Sequence, residues 1–323
     1  MKLTAQQSVE VLRAAGEPTR LRILALLERE ELAVLELCRV LGQSQPRVSR
    51  HLKLLAEAGL VERFPDGAWV FYRLAGAGTP RDLIGEILAH VDPRDPVFTA
   101  DCGKLNDVQA ERVAAAHAYF AENAAHWDQV QSLYASDTDV EGEILRVSGA
   151  GRIRRLVDLG AGTGRMLALL GPRADHAVGL DLSQQMLNIA RRNATEAGLV
   201  NVELRHGDIF DTRLPDGSAD LVVVHQVLHY LGDPAAAVRE AARIVAVDGR
   251  LIIVDFAPHR LEFLREDHQH RRLGFSDEEM ARWLGEAGLP HIALQSLPAT
   301  REDGLTVKIW AAARLPHDLR IAA

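Results

Sequence analysis

The stretch from Leu156 to Asp181 constrains the fold of this chain more than any other feature. A short apolar run, 156–159, leads into Gly160-Ala161-Gly162-Thr163-Gly164, and a helical pattern follows over 165–170 before a second apolar run ends at Asp181. Glycines let a backbone turn sharply and approach a ligand closely. A carboxylate after the second strand is placed to accept both hydroxyls of a ribose. The pattern predicts a strand, turn, helix and strand of a parallel α/β sheet.

The glycine spacing discriminates between kinds of nucleotide site. A dinucleotide fingerprint needs a third glycine that permits close packing of helix on strand, but Arg165 occupies that position. A phosphate-cradling loop needs Lys followed by Ser or Thr, and neither follows here. The run from Asp158 to Gly164 instead resembles the first motif of class I S-adenosylmethionine-dependent methyltransferases. This resemblance implies S-adenosylmethionine or S-adenosylhomocysteine as the cofactor.

Later segments agree with this resemblance. Gly207-Asp208-Ile209 follows a β-rich run at 202–205, and in methyltransferases similar to this chain an acid at that place contacts the adenine amine. The runs 219–225, 249–255 and 305–310 are predicted to be the fourth, fifth and closing strands. The resemblance implies a Rossmann-like α/β domain with these cofactor-binding residues: Asp158, Gly160, Ala161, Gly162, Gly164, Asp181, Leu182, Asp208, Ile209 and His225.

The tip of the predicted fourth strand, His225-Gln226-Val227-Leu228-His229-Tyr230, would face the methyl donor in such a fold. DNA-adenine and protein-glutamine methyltransferases carry an Asn/Asp-Pro-Pro-Tyr element there, and its absence argues against methylation of bound DNA. Arsenite methyltransferases depend on several cysteines, and this domain has none after Cys102. A small-molecule acceptor or another macromolecule remains.

Histidines are the candidate catalytic groups. His225 or His229 could act as a general base because imidazole titrates near neutral pH, although a packing or surface role is commoner for any single histidine. A second cluster could line the acceptor pocket: His259, His268, His270, Arg271 and Arg272. No third ligand accompanies the His-x-His spacing, so no metal site is predicted.

The first 75 residues follow a different pattern. Three apolar-periodic helices are predicted: one opened by Glu17-Pro18-Thr19, a second over 31–41, and a third over 45–58 that Ser44 caps and Gly59 ends. Two helices joined by a tight glycine turn form a helix-turn-helix, whose second helix enters the major groove. The β-rich runs 60–64 and 69–73 would then form a wing. Predicted DNA contacts are Ser44, Gln45, Arg47, Ser49, Arg50 and Lys53 on the helix, with Arg63 and Arg73 on the wing.

This region resembles the ArsR/SmtB family of winged-helix repressors over residues 8–75. Residues 43–55 are similar to that family's recognition helix and residues 67–74 to its wing. Arsenic-sensing members carry a Cys-x-Cys pair, but Ala33 and Leu35 stand at the matching positions and only Cys38 remains. One thiolate cannot make a three-coordinate soft site, so we do not expect a metal sensor. A small helical bundle with solvated arginines is the alternative.

Charge and composition separate the two regions. Residues 1–75 contain 11 Lys and Arg against 9 Asp and Glu, whereas the remainder contains 26 against 36, so only the front is locally basic. Two cysteines argue against a disulfide framework and fit a reducing cytoplasm. Neither a signal peptide nor a run of eighteen apolar residues is found, so a cytoplasmic protein without a membrane span is expected.

The predicted organisation is therefore a two-domain chain. Residues 1–78 form a winged helix-turn-helix (α+β), residues 79–115 a loop-rich linker with a dimerisation helix, and residues 116–315 the methyltransferase domain. The apolar stripe Leu83, Ile84, Ile87, Leu88 and Val91 suits a dimer contact, or packing on its own domain.

Two compatible functions follow. The chain could be a transcriptional regulator that senses the adenosyl cofactor, binding a double-stranded DNA operator as a homodimer. It could alternatively be an active methyltransferase for a small-molecule acceptor, with an autoregulatory DNA-binding domain.

Overall fold

The computed structural model describes residues 3–76, 78–124, 137–290, 292–298 and 304–314. The chain divides into two compact units, Met1–Ala114 and Ala115–Ala323. No helix within the described ranges is both long and apolar enough to cross a membrane.

The first unit is a winged helix-turn-helix, as predicted. Its elements are α1 (Ala5–Ala15), α2 (Pro18–Arg29), β1 (Leu32–Ala33), α3 (Val34–Leu41), α4 (Gln45–Glu57), β2 (Val61–Asp66), β3 (Trp69–Leu74), α5 (Thr79–Ala89) and the start of α6 (Pro96–Asn123). The small sheet has the order β1-β3-β2, with antiparallel pairing throughout. Strand β1 was not predicted, because it is two residues long and owes its extended form to a partner distant in sequence, Leu32 opposite Tyr72.

Helix α4 begins after Ser44, and Gly59 beyond its end adopts a left-handed conformation. Val48, Leu52 and Leu55 recur at helical spacing and are fully buried against the other helices. The opposite face of α4 is therefore presented to solvent.

Residues 79–114 are mostly helical, whereas their prolines and glycines had suggested loops. Pro80 and Pro96 lie in the first turns of α5 and α6, where a missing N–H breaks no helical hydrogen bond, so they start helices and do not interrupt them. Ile84 and Leu88 of the apolar stripe are buried in the core of the first unit. The stripe thus packs on its own domain, the second of its two expected roles.

The first part of α6 joins the same core. Its Leu105 and Val108 are buried with the residues of α2 to α4. Ion pairs hold it there, among them Asp101 with Arg22 at 2.6 Å and Arg112 with Glu30 at 2.9 Å.

The second unit is a Rossmann-like α/β domain, also as predicted. Its elements are α7 (Asp137–Val147), β4 (Ile153–Leu159), α8 (Arg165–Leu170), β5 (Ala174–Asp181), α9 (Gln184–Glu196), β6 (Val202–His206), β7 (Ala219–His225), α10 (Pro234–Ile244), β8 (Val245–Phe256), α11 (Phe263–His268), α12 (Asp277–Glu286), β9 (Ile292–Leu297) and β10 (Val307–Ala313).

The strands within the described residues have the order β6-β5-β4-β7-β8-β10-β9; β10 is antiparallel to both β8 and β9, and the other neighbouring strands pair in parallel. The run at 305–310 was expected to close the sheet, but β9 lies outside it and forms the edge. Leu221 to Val224 of β7 are buried on both faces, as is usual for parallel strands covered by helices. The chain order reverses between β4 and β7, and ligands of such sheets bind at the carboxyl ends of the strands at that point.

Candidate functional sites

The glycine turn leaves the carboxyl end of β4 and is fastened to β5. The amide groups of Gly160 and Ala161 donate to the Leu180 carbonyl at 2.8 and 2.9 Å. Gly160 has φ +75°, and a Cβ atom there would lie 2.4 Å from Cγ2 of Val227. Both the backbone conformation and the space admit only glycine at this position.

Asp181 is the last residue of β5 and orders the same turn. Its Oδ2 accepts the Gly162 amide at 2.8 Å, and its Oδ1 accepts the Ser183 amide at 2.7 Å. A carboxylate offers about four lone-pair sites, so this anchoring is compatible with ribose hydroxyls as additional donors.

Asp158 is the penultimate residue of β4, one residue before the strand ends at Leu159. Its side chain is 1% exposed, and neither carboxylate oxygen has a hydrogen-bond partner within the described chain. Burial, and secondly the negative charge of Asp181, raise the pKa of Asp158 to about 8. An unpaired buried carboxyl is unfavourable unless a ligand satisfies it. The ammonium group of an amino-acid moiety, which both adenosyl ligands carry, would do so.

The turn after β6 brings the predicted adenine contacts to the same edge. The Gly207 amide donates to the Asp181 carbonyl at 3.1 Å, which places Asp208 and Ile209 beside the end of β5. Ile209 is buried, whereas Asp208 and Leu182 are partly exposed and remain accessible to a ligand. The donor set of this strand edge therefore fits an adenosyl amino acid.

His225 ends β7 and is a weak base. Burial, and secondly the Arg165 guanidinium, lower the pKa of His225 to about 4. Gln226 follows it in a left-handed conformation, φ +53°, and donates its amide to the Val254 carbonyl at 2.7 Å. An imidazole with this pKa is a weaker proton acceptor than an ordinary histidine, and the general-base role of His225 stays a prediction.

His229 has a partner that the sequence did not reveal. Its Nδ1 lies 2.8 Å from Oδ1 of Asp255, and the two residues are 2% and 0% exposed. Its carbonyl accepts the amides of Arg271 and Arg272 at 2.8 and 3.0 Å. Asp255 belongs to β8, which pairs with β7, so only the fold brings the two side chains together.

The predicted acceptor-pocket residues have different environments. The His270 ring centroid lies 4.1 Å from that of His229, and burial with neighbouring positive charges lowers the pKa of His270. His268 Nδ1 lies 2.7 Å from the Tyr119 hydroxyl. Arg272 is buried and pairs with Glu279 at 2.9 Å, so its guanidinium stabilises the fold.

Aromatic residues that the sequence analysis missed complete this group. We call it the histidine–aromatic cluster, and its members are Tyr119, Phe120, His229, Tyr230, Phe256, His268 and His270. Phe256 and His270 are stacked at 6.0 Å, and Phe120 meets Tyr230 edge-on at 4.9 Å.

The candidate DNA interface is the exposed face of α4. All six predicted contacts of this helix region are exposed: Ser44, Gln45, Arg47, Ser49, Arg50 and Lys53. Arg63 on β2 is exposed as well. These side chains have the types that bond phosphates and base edges.

Arg73 does not conform to the expectation that it meets phosphate. Its guanidinium lies 3.2 Å from Glu31 and 2.8 Å from Glu62, and only 17% of the side chain is exposed. It also stands over the Phe64 ring at 4.9 Å. Two carboxylates already engage Arg73, which therefore stabilises the base of the wing.

Two family profiles match the chain in the corresponding places. The profile of the arsR family of bacterial regulatory proteins matches residues 17–63, and a methyltransferase-domain profile matches residues 157–253. The chain thus contains one segment that matches the arsR family and a second segment that matches a methyltransferase domain. In the solved complex of the Haloferax volcanii Trm112 methyltransferase activator with a methyltransferase, one chain shares this second fold. That chain has 21% identity and a TM-score of 0.51, with 61% of this chain and 98% of the other covered.

Relatives of the methyltransferase domain include enzymes with assigned names. An uncharacterized methyltransferase, YcgJ of Bacillus subtilis, is 30% identical over 140 residues, which are 43% of this chain and 54% of YcgJ. The demethylmenaquinone methyltransferase of Thermus thermophilus is 33% identical over 143 residues, which are 43% of this chain and 64% of that enzyme. The chain thus spans between about half and two thirds of these relatives' length.

Proposed function

We propose that this protein is a DNA-binding transcriptional regulator whose effector is S-adenosylmethionine or S-adenosylhomocysteine. One observation carries the proposal. A single chain presents a solvent-exposed basic face on α4 and, in its second unit, a glycine turn above the buried, unpaired carboxyl of Asp158. The first feature serves binding to an operator, and the second serves binding of a cationic amino-acid ligand.

Each part of the ligand has a candidate holder. Asp158 would pair with the ammonium group, the turn from Gly160 to Gly164 would pack against the ligand, and Asp181 would accept the ribose hydroxyls. Asp208, with Ile209 and Leu182, would contact adenine, and His225 would stand near the sulfur. When bound, S-adenosylmethionine supplies an electrophilic methyl group.

Regulation requires the ligand to distinguish between two states. An effector shifts DNA binding only if it binds the DNA-competent state with a different affinity, because equal affinity moves no equilibrium. We further propose that the operator is a near-palindrome read by a homodimer, as is usual for helix-turn-helix repressors. Such a regulator acts in the cytoplasm.

The decisive experiment measures DNA affinity with and without each ligand. Operator fragments are selected from genomic DNA with the full chain, and binding is followed by fluorescence anisotropy with S-adenosylmethionine, S-adenosylhomocysteine or NAD. We expect one adenosyl ligand to change the Kd at least fivefold. Asp181→Ala should keep the ligand-free Kd and lose the response. Unchanged DNA affinity with both adenosyl ligands, or calorimetric preference for NAD, would contradict the proposal.

A second candidate function is methyl transfer to a small molecule. The observation that favours it is the hydrogen bond between His229 and Asp255, a buried arrangement that ligand sensing alone does not require. Relatives named as methyltransferases support it. Incubation of the protein with methyl-tritiated S-adenosylmethionine and small-molecule extracts would label the acceptor. A protein that binds the ligand yet labels nothing would count against this function.

A further inference from the structure

We propose that Asp255 is a positioning residue that makes His229 the proton acceptor for a neutral aromatic hydroxyl compound. The inference rests on methyl transfer, the second candidate function above. Neither Asp255 nor the class of acceptor follows from the sequence motifs.

Hydrogen bonds hold both the imidazole ring and the backbone carbonyl of His229. Oδ1 of Asp255 lies 2.8 Å from Nδ1 and also accepts the Phe256 amide at 2.9 Å, so the carboxylate is itself oriented. The His229 carbonyl is anchored by two amides of the segment after α11. Neighbouring rings at 4.1 to 5.1 Å, those of Tyr230, Phe256 and His270, restrict its rotation.

This arrangement selects one tautomer of His229. An ionised carboxylate only accepts hydrogen bonds, so the proton of a neutral imidazole must sit on Nδ1. The lone pair is then on Nε2, which is the nitrogen available to take a proton. A carboxylate in this position orients the ring and stabilises the imidazolium once it forms. In the described part of the chain no carboxylate is hydrogen-bonded to His225, and the nearby Arg165 guanidinium lowers its pKa in addition to burial.

The surroundings of His229 indicate what kind of acceptor it would serve. The histidine–aromatic cluster presents flat rings, and burial lowers the pKa of His270. Two buried arginines near this cluster pair with carboxylates: Arg272 with Glu279 at 2.9 Å and Arg265 with Glu262 at 3.3 Å. An acceptor with a carboxylate or phosphate would compete with these carboxylates for the two arginines, whereas a planar neutral phenol matches the rings.

Methyl transfer to such a phenol moves one proton and one electron pair. Nε2 of His229 takes the phenolic proton, and the oxygen forms a bond to the methyl carbon as the carbon–sulfur bond breaks. Sulfur keeps that electron pair and becomes a neutral thioether. The imidazolium, paired with Asp255, returns its proton to water.

The first test observes the tautomer directly. Full-length protein labelled with ¹⁵N-histidine and saturated with S-adenosylhomocysteine is studied by long-range ¹H–¹⁵N NMR. His229 is assigned by the signal lost in His229→Gln and kept in His206→Gln, an exposed control. We expect the Nδ1–H tautomer in the wild type and its inversion in Asp255→Asn, because an amide can donate to Nδ1. An Nε2–H tautomer in the wild type, or an unchanged signal in Asp255→Asn, would overturn the proposal.

The second test measures turnover. With methyl-tritiated S-adenosylmethionine and a panel of simple phenols, Asp255→Asn should lower kcat by about 10²–10³-fold with little change in KM. Turnover that persists undiminished in His229→Gln would also refute the assignment. For each variant, isothermal titration with S-adenosylhomocysteine measures ligand binding, and scanning calorimetry shows whether the variant is folded. Retained binding with a failed tautomer test would reject the positioning role and leave the regulator proposal intact.

Discussion

The buried side chain of Asp158 indicates which kind of ligand its site would bind. Its carboxyl group is 1% exposed and has no hydrogen-bond partner in the described chain. Burial therefore destabilises the ionised form of Asp158 and raises its pKa to about 8. Strained or unsatisfied groups of this kind concentrate at functional sites, where binding relieves them. The negative charge of the neighbouring Asp181 further destabilises the ionised form of Asp158, and a cationic ligand would offset this repulsion.

The first prediction concerns the stability of the ligand-free protein. The pKa of Asp158 is higher in the folded chain than the 3.8 of an ordinary aspartate side chain, so the unfolded chain releases this proton first as pH rises. The free energy of unfolding should therefore fall between about pH 4 and pH 8. Asp158→Asn should raise it by at least about 1 kcal/mol at pH 7 and change little at pH 4. Urea unfolding at both pH values measures this, and an equal effect at both would be inconsistent with the titration.

The second prediction concerns how titration of Asp158 affects ligand affinity. An ammonium group pairs with the ionised carboxylate, so the affinity for S-adenosylhomocysteine should rise from pH 6 to pH 8, approaching tenfold per unit. Isothermal titration calorimetry in two buffers should detect a released proton at pH 7. Asp158→Asn should abolish the pH slope, and Asp139→Asn, which alters an exposed carboxyl of α7, should retain it. A slope that survives Asp158→Asn would exclude Asp158 as its source.

At the scale of elements, the sequence predicted those structures whose cause is local. Helix α4 was predictable because Ser44, Gly59 and the spacing of its buried apolar residues are local in sequence, although the Ser44 side chain makes no capping hydrogen bond. Strand β7 was predictable because it is buried on both faces and hence continuously apolar. Strand β1 and the His229–Asp255 hydrogen bond were not, because each depends on a partner that only the folded chain brings near.

The third prediction concerns the recognition helix. Arg47→Ala or Arg50→Ala should weaken operator binding by about 1–3 kcal/mol if the side chain reads a base. Arg29→Ala, which removes an exposed arginine at the end of α2, is the matched control and should leave operator affinity nearly unchanged. Fluorescence anisotropy at fixed salt measures all three. Wild-type affinity in both α4 variants would disqualify this face as the interface.

The fourth prediction separates the two arginines of the wing. Arg73→Ala leaves Glu31 and Glu62 without their shared cation and should lower the free energy of unfolding by about 1–2 kcal/mol, a value reduced for the exposure of Glu62. Arg63→Ala should leave stability unchanged and weaken DNA binding, since Arg63 is exposed. Chemical denaturation and anisotropy on both variants test this. The reverse pattern would restore Arg73 as a DNA contact.

At the scale of the whole molecule, effector and operator must influence each other equally. If S-adenosylhomocysteine changes the operator Kd by a given factor, saturating operator DNA must change the Kd for S-adenosylhomocysteine by the same factor. Calorimetry with and without operator DNA measures this fifth expectation. Scrambled DNA of equal length is the control and should leave the ligand Kd unaltered. Unequal factors would show that the ligand effect on DNA is not a binding equilibrium between two states.

The packing of α5 and the first part of α6 on the winged helix has a consequence for how such proteins recombine. The arsR profile ends at residue 63, yet Ile84, Leu88, Leu105 and Val108 complete the core of the unit that contains it. A gene fusion that transferred only residues 17–63 would expose this core as an apolar surface prone to aggregation. We therefore expect the segment that keeps this core intact to extend to residue 114, where the first compact unit ends within α6.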